Sequence, residues 1–280
     1  MKIAIIGDIH GSHRSLKRII KDLKAVDMIF ITGDIGGTVS VKLLLKSIVK
    51  TKKISREAYA KLVFSDFLSD FTKYQLKTAK KIVRHLLTLG VPIFITHGNA
   101  DVIGIHDYLA QMDKEYDLVS YVGNSTTIYN NIAVVGYGYC MPSAFYSFAE
   151  FPGIKERKDI EQDLAKLSES LGPAKIVFGL FHEPPLDTQL DFIPNKNIHV
   201  GSDLLRDHIL ELSYSYVFCG HIHESQGTQF LNDSLLLNPG PLVNGKWAIL
   251  NTENNQVELK HNQAFFSIKN LIYMIRRFFP

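Results

Sequence analysis

The chain of 280 residues is poor in cysteine, with only Cys140 and Cys219. Two thiols this far apart make no disulfide framework. That excludes the small stapled secreted scaffolds and leads us to expect a reducing, cytoplasmic setting. Excess charge is also scarce. With 31 Lys and Arg against 28 Asp and Glu, a net charge of +3 gives no argument for nucleic acid by itself. Long apolar runs are missing as well. No segment reaches the roughly 18 uncharged apolar residues of a membrane span. The stretch after Lys2 is cut by Asp8 before it could act as a secretory leader. Internal repeats and low-complexity tracts are absent. What remains, 46% hydrophobic and 21% charged, is an ordinary globular composition with enough chain for one large domain or two small ones.

Within that composition one stretch stands out at the start. Lys2 to Ile6 is a short apolar run, and Gly7-Asp8-Ile9-His10-Gly11 follows it. Such a run ending in Gly-Asp reads as a buried strand that stops and turns. Side chains at i and i+2 share a side of an extended backbone, so Asp8 and His10 are expected to face one spot. The device recurs. Met28 to Thr32 ends in Gly33-Asp34, and Val91 to Thr96 ends in His97-Gly98-Asn99. Ile176 to Phe181 ends in His182, and Tyr216 to Cys219 ends in Gly220-His221-Ile222-His223.

Between these runs, Ser12 is expected to cap a helix carrying Leu16, Ile19, Ile20 and Leu23. Strand, helix, strand implies parallel strands, which sets Asp8 beside Asp34 at the edge where open α/β sheets place ligands. Residues 38–90 read as a Lys-rich insertion of two or three helices. Two readings stand for it, a solvated basic face or a surface for an anionic substrate, and it could also serve as a cap or oligomer contact. Asp101 is placed as the cap of a helix reaching about Met112, and Asn130-Asn131 as a hairpin turn between strands. Helices are expected over Lys155 to Leu171 and Leu204 to Leu212, and strands over Leu235 to Leu237 and Trp247 to Leu250.

Asp8, His10, Asp34, Asn99, His182, His221 and His223 therefore all fall just past strand ends. All are oxygen or nitrogen donors and none is a thiolate. That set suits Mn first, with Fe, Zn, Ni or Co also accommodated. Seven donors are too many for one catalytic ion with an open position, and they suit two ions sharing a carboxylate.

With these residues in this order, Met1 to about Leu250 resembles the calcineurin-like metallophosphoesterase superfamily, in particular its small stand-alone prokaryotic-type phosphoesterases. Asn238-Pro239-Gly240 adds to the likeness. The resemblance implies an α/β fold, a four-layer αββα sandwich with a helical insertion (38–90) after the second strand. The domain would span 1–261, with a basic aromatic tail over 262–280. It also implies two divalent or trivalent transition-metal ions. Asp8, His10 and His223 would hold the first, Asn99, His182 and His221 the second, and Asp34 would bridge them. A bridging hydroxide would attack phosphorus in a small phosphate-ester substrate.

The chain departs from the family at one position. Many members carry His after the metal-binding Asn to bind phosphate and assist the leaving group, and here that residue is Ala100. General-acid help is typically worth about 10²–10⁴-fold. Replacement candidates are His97, two positions before Asn99, then His13 on the first loop, then His106. Arg14 and Asn99 are candidates for holding phosphate. The missing acid favours phosphodiesters and good leaving groups over alkyl monoesters. Rival functions are a non-catalytic metal-binding scaffold on the same fold, or a nuclease supported only by the Lys-rich insertion. The tail from Gln263 has no acid and carries Lys269, Arg276 and Arg277. It reads as a helix packed on the body or on a second subunit, with membrane-surface contact as the alternative.

Overall fold

The first strand shows how the sequence builds layers. In β1 (Lys2–Ile6), Ile3 and Ile5 point into one apolar cluster while Ala4 and Ile6 point into another, and all are fully buried. A strand covered on both faces needs an unbroken apolar run, which is what Ile3 to Ile6 supplies. The structure, a computed structural model, describes residues 1–37, 56–142, 153–170 and 176–262, with the backbone alone over 56–68.

After β1 come α1 (His13–Leu23), β2 (Met28–Ile31), α2 (Arg56–Leu87), β3 (Ile93–Ile95) and α3 (Ile103–Glu115). Next are β4 (Val119–Tyr121), β5 (Asn124–Tyr129), β6 (Ile132–Tyr137), α4 (Arg157–Glu169) and β7 (Ile176–Phe181). A small pair, β8 (Phe192–Ile193) and β9 (Ile198–His199), precedes α5 (Asp203–Glu211) and β10 (Tyr216–Phe218). The last are β11 (Gly227–Leu231), β12 (Ser234–Asn238), β13 (Lys246–Asn251) and β14 (Gln256–His261).

Two six-stranded sheets result. One runs β14-β13-β1-β2-β3-β4, and the other β11-β12-β10-β7-β6-β5. In the first, β1 to β4 are parallel, and in the second, β12, β10, β7 and β6 are parallel. The sheets face each other across an aromatic core in which Phe30 meets Phe94 and Phe218 at 4.9 Å and Phe178 at 5.3 Å between ring centroids. Burying each such ring contributes about 1.5–3 kcal/mol. On the outer face of the first sheet, Leu16 and Ile19 of α1, Ala79, Ile82 and Leu86 of α2, and Leu109 of α3 pack on Ala4, Ile29 and Ile93. On the outer face of the second, Leu164 of α4 and Ile209 of α5 pack on Val135 and Val217. The layers are αββα, as the resemblance implies.

Several local expectations change. The described part of the insertion is one 32-residue helix, α2; residues 38–55, on which the expectation of two or three helices also rests, lie outside the described residues, as does the tail from residue 263. Ser12 precedes α1 but bonds the Ser15 hydroxyl at 2.6 Å instead of capping the backbone. The hairpin turn is where it was placed, with Asn130 and Asn131 at φ of 46° and 64°, the left-handed pair a two-residue turn requires. Strands β4, β11 and β14 have no counterpart in the sequence reading. Their alternation is weak, and β11 and β14 lie on sheet edges.

Candidate metal centre

The donors converge because the parallel strands of both sheets end on the same side. Asp8 and His10 follow β1, Asp34 follows β2, Asn99 follows β3, His182 follows β7, and His221 and His223 follow β10. The strand-end argument by itself sets these ends along one sheet edge, and the resemblance adds the second sheet. They come from two stacked sheets, which lets the donors close around a volume instead of lining an edge. The i, i+2 argument for Asp8 and His10 is also corrected. Both residues have left-handed backbone, φ 48° and 46°, so a coiled turn aims them and not a pleat. Asp34 at 50° and His221 at 67° share this conformation. Non-glycine residues rarely adopt it, and its cost of about 1–3 kcal/mol each has to be offset by the surrounding structure.

That structure is a set of hydrogen bonds between the loops. His10 N–H donates to Asp34 O at 2.8 Å and Gly11 N–H to Ile35 O at 2.9 Å. Asp101 is buried, and its carboxylate accepts from the N–H groups of Gly36 (2.8 Å), Gly98 (3.1 Å) and Ile35 (3.2 Å). It therefore staples the second loop to the third and does not cap α3, where Val102 takes that position without a side-chain bond. Gln75 of α2 is buried too, donating to Ala100 O at 2.7 Å and accepting from Val102 N–H at 2.9 Å. Gly98 has no room for a side chain, since a Cβ there would collide with Asp34 Oδ1 and come within 2.6 Å of the His182 ring.

Around the donors the distances fall into two groups with one shared member. Asp8, His10 and His223 present ligand atoms within 4.8 Å of one another. His223 Nε2 is 3.3 Å from Asp8 Oδ1 and 3.2 Å from His10 Nε2. On the other side, Asn99 Oδ1 is 3.0 Å from both His182 Nε2 and His221 Nδ1. Asp34 stands between. Its Oδ1 accepts Ala100 N–H at 2.9 Å, while its Oδ2 lies 3.7 Å from both His10 Nε2 and His182 Nε2. Burial raises Asp34's pKa, and the charge on Asp8 raises it further, against the opposing pull of His182 and the Ala100 N–H. Burial also pushes Asp8 upward, but the His223 hydrogen bond and the charges of His223, His182 and His10 outweigh it and hold that carboxyl below its usual range. Burial lowers His10 to about 4 and His221 to about 3, so both rings are neutral at physiological pH.

These residues fit metal ions. Thr32 O can only accept, so His182 Nδ1, 2.7 Å away, carries the proton. Nε2 is then the ring atom that faces Asn99 Oδ1, 3.0 Å away, with His221 Nδ1 at the same distance from that oxygen. Two imidazole nitrogens and an amide oxygen converging in one place are a donor set that a transition-metal cation takes. The Thr32 carbonyl is an orienting outer partner of the kind that fixes a ligating imidazole.

Of the residues put forward for acid and phosphate roles, Asn99 stands among the donors, while His97, His106 and His13 make contacts of their own. His97 is fully buried and lies 2.7 Å from Tyr121 Oη through Nδ1. Its ring stacks on His106 at 3.9 Å and meets Tyr139 at 4.4 Å. Burial first, then the charges of His106, His182 and Lys155, take its pKa well below the ordinary value. His106 belongs to the same aromatic pocket. His13 packs against His85 of α2 at 4.8 Å, with burial and then the charges of His85, Lys17 and Lys81 lowering its pKa, while Arg14 beside it is exposed. Ala100 contributes only its backbone to the site. One donor escaped the sequence reading. Cys140, three residues past the end of β6, has its sulfur within 4.8 Å of ligand nitrogens of His182 and His221. The signal was the same strand-end placement.

A family model of calcineurin-like phosphoesterases matches residues 1–225. Over 268 residues the chain is 26% identical to an uncharacterized protein of Methanocaldococcus jannaschii, MJ1162, covering 95% of this chain and 98% of that one. Its fold is similar to that of TT1561 from Thermus thermophilus, with a TM-score of 0.60 at 17% identity, over 93% of this chain and 98% of that one. It is also similar to a dimetal phosphatase from Danio rerio, with a TM-score of 0.50 at 12% identity, over 89% and 91% of the two chains. With the family match running through most of its length, the chain belongs to the calcineurin-like phosphoesterases and is a metal-dependent phosphoester hydrolase.

Proposed function

We propose that the chain hydrolyses small phosphate esters at a two-metal centre. Asp8, His10 and His223 hold one ion, Asn99, His182 and His221 the other, and Asp34 is shared. The observation that carries this reading is the position of Asp34 Oδ2, equidistant at 3.7 Å from an imidazole nitrogen of each group. When bound, the two ions supply an acidified water and neutralise charge developing on the phosphoryl oxygens. The chain's own part is to hold the donors rigid and to keep His10 and His221 neutral. Lys17 and Lys81, beside His13 and His85 on α1 and α2, fit an anionic substrate arm, and Arg14 on the same turn would bind phosphate.

Diesters and activated esters are the preferred substrates in this reading. Ala100 has no acid to give, and the burial of His97 against Tyr121 favours a positioning role for it over proton delivery. His13 then remains the acid candidate on the open side. The test is a screen of monoesters, diesters, cyclic nucleotides and pyrophosphates with metal-reconstituted protein and Asp34→Asn as control. Preferential turnover of diesters and aryl esters, abolished in the control, supports the reading. Equal rates on alkyl monoesters, or an unchanged alkyl rate in Ala100→His, would remove the argument from the missing acid.

A further inference from the structure

We infer that Cys140 is a thiolate ligand of the second metal position, making it a softer site than the first. The inference rests on the two-metal reading above. Cys140 is 1% exposed, and its sulfur and one ring nitrogen each of His182 and His221 all lie within 4.8 Å of one another. Those two imidazoles also converge on Asn99 Oδ1 at 3.0 Å each. The thiol is thus a fourth donor on a group of two imidazoles and an amide that already converge. Its placement is built. Cys140 N–H donates to Gly153 O at 2.9 Å and Lys155 N–H to Cys140 O at 3.1 Å, which fixes the backbone on both sides of the side chain. Gly153 itself lies against the third loop, where a Cβ would come within 2.6 Å of Asn99 Cα. The Cys140 strand end is therefore tied to the loop that carries Asn99.

The other cysteine is a contrast within the same molecule. Cys219 is fully buried as well, but its sulfur lies 3.7 Å from Leu237 O, an ordinary interior contact. The Cys140 thiol has no hydrogen-bond partner among the described residues. As a metal–sulfur bond forms, the Cys140 proton leaves to solvent. A donor set of thiolate, two imidazoles and an amide oxygen selects zinc or ferrous iron, whereas Asp8, His10 and His223 accept harder ions such as manganese. The two positions would then hold different metals.

The test is cobalt(II) substitution of the full chain, read by absorption and by metal content. Thiolate ligation produces a near-ultraviolet sulfur-to-cobalt charge-transfer band that imidazole and carboxylate ligands do not. Cys219→Ser leaves Cys140 as the sole thiol, so a band retained in that variant comes from Cys140. Cys140→Ser is expected to abolish the band while cobalt still binds. The Cys219→Ser measurement decides the matter even if Cys140→Ser fails to fold. Two bound cobalt ions without a band would overturn the assignment of Cys140 and leave the two-metal reading standing, and a band persisting in Cys140→Ser would do the same. Failure to bind cobalt at all would overturn both.

Discussion

The two halves of the metal centre are built differently. The half formed by Asp8, His10 and His223 opens to solvent through His223, whose side chain is 37% exposed. In the half formed by Asn99, His182 and His221, His221 is half-buried as well, but His182 is fully buried with its outer nitrogen fixed by the Thr32 carbonyl. In the open half a charged pair dominates, Asp8 held low by His223. The second half holds an amide and two imidazoles, with Cys140 beside them. An open, charged position exchanges its ion readily, and a buried one with oriented donors retains it. In the proposed reading, the difference teaches that a shared carboxylate can join two sites of unlike donor chemistry.

Cutting that link has the largest expected effect. Asp34→Asn removes the shared charge, and kcat/KM should fall about 10³-fold or more, measured alongside metal content per chain. Unaltered turnover with both ions retained would show that the halves do not depend on Asp34. Chelation separates the halves kinetically. Metal content followed during dialysis against a chelator should fall in two phases, the open half first, with most activity lost in the first phase. A single phase would erase the distinction between them.

A buried imidazole away from the centre gives the control for the neutral rings. Burial lowers His208 from 6.5 to about 4, and its Nε2 lies 2.8 Å from Tyr214 Oη. Because the folded value is the lower one, the unfolded chain takes up a proton that the folded chain refuses. The stability associated with His208 is whole above 6.5 and drains as pH falls toward 4, by about 3 kcal/mol at 1.36 kcal/mol per unit. His208→Gln should flatten that part of the pH–stability curve in denaturant titrations of metal-free and metal-loaded protein alike. Acid loss caused by His10 and His221 should instead shrink when metal is bound. The smallest effect belongs to the scaffold. Gln75→Ala leaves Val102 N–H and Ala100 O unpaired and should cost about 2–3 kcal/mol, read as a lower denaturation midpoint. Retained midpoints would show that α2 does not brace the third loop.

Much of the centre was legible in one dimension. Asp8, Asp34, Asn99, His182, His221 and His223 each sit just past an apolar run, and parallel strands put such positions on one side. Asp101 and Gln75 were not legible in their roles. Each works through backbone groups of loops distant in sequence, and an Asp before a helix looks like a cap whether or not it is one. The fates of His97 and His13 were hidden for a similar reason. Spacing places a residue near a site, but burial against Tyr121 or contact with His85 decides which way it faces. Cys140 obeyed the strand-end rule and was passed over because its neighbours read as apolar strand.

The sequence alone determined which atoms are available as ligands and at which strand ends they stand, because local apolar patterning sets where strands stop. Only the tertiary structure decided how they divide. Stacking two parallel-rich sheets closes the donors around a volume, and left-handed turns aim Asp8, His10, Asp34 and His221 into it. The end of β6 brings a thiol to one half and not the other. Those outcomes depend on packing between segments more than a hundred residues apart, and no local pattern encodes that distance.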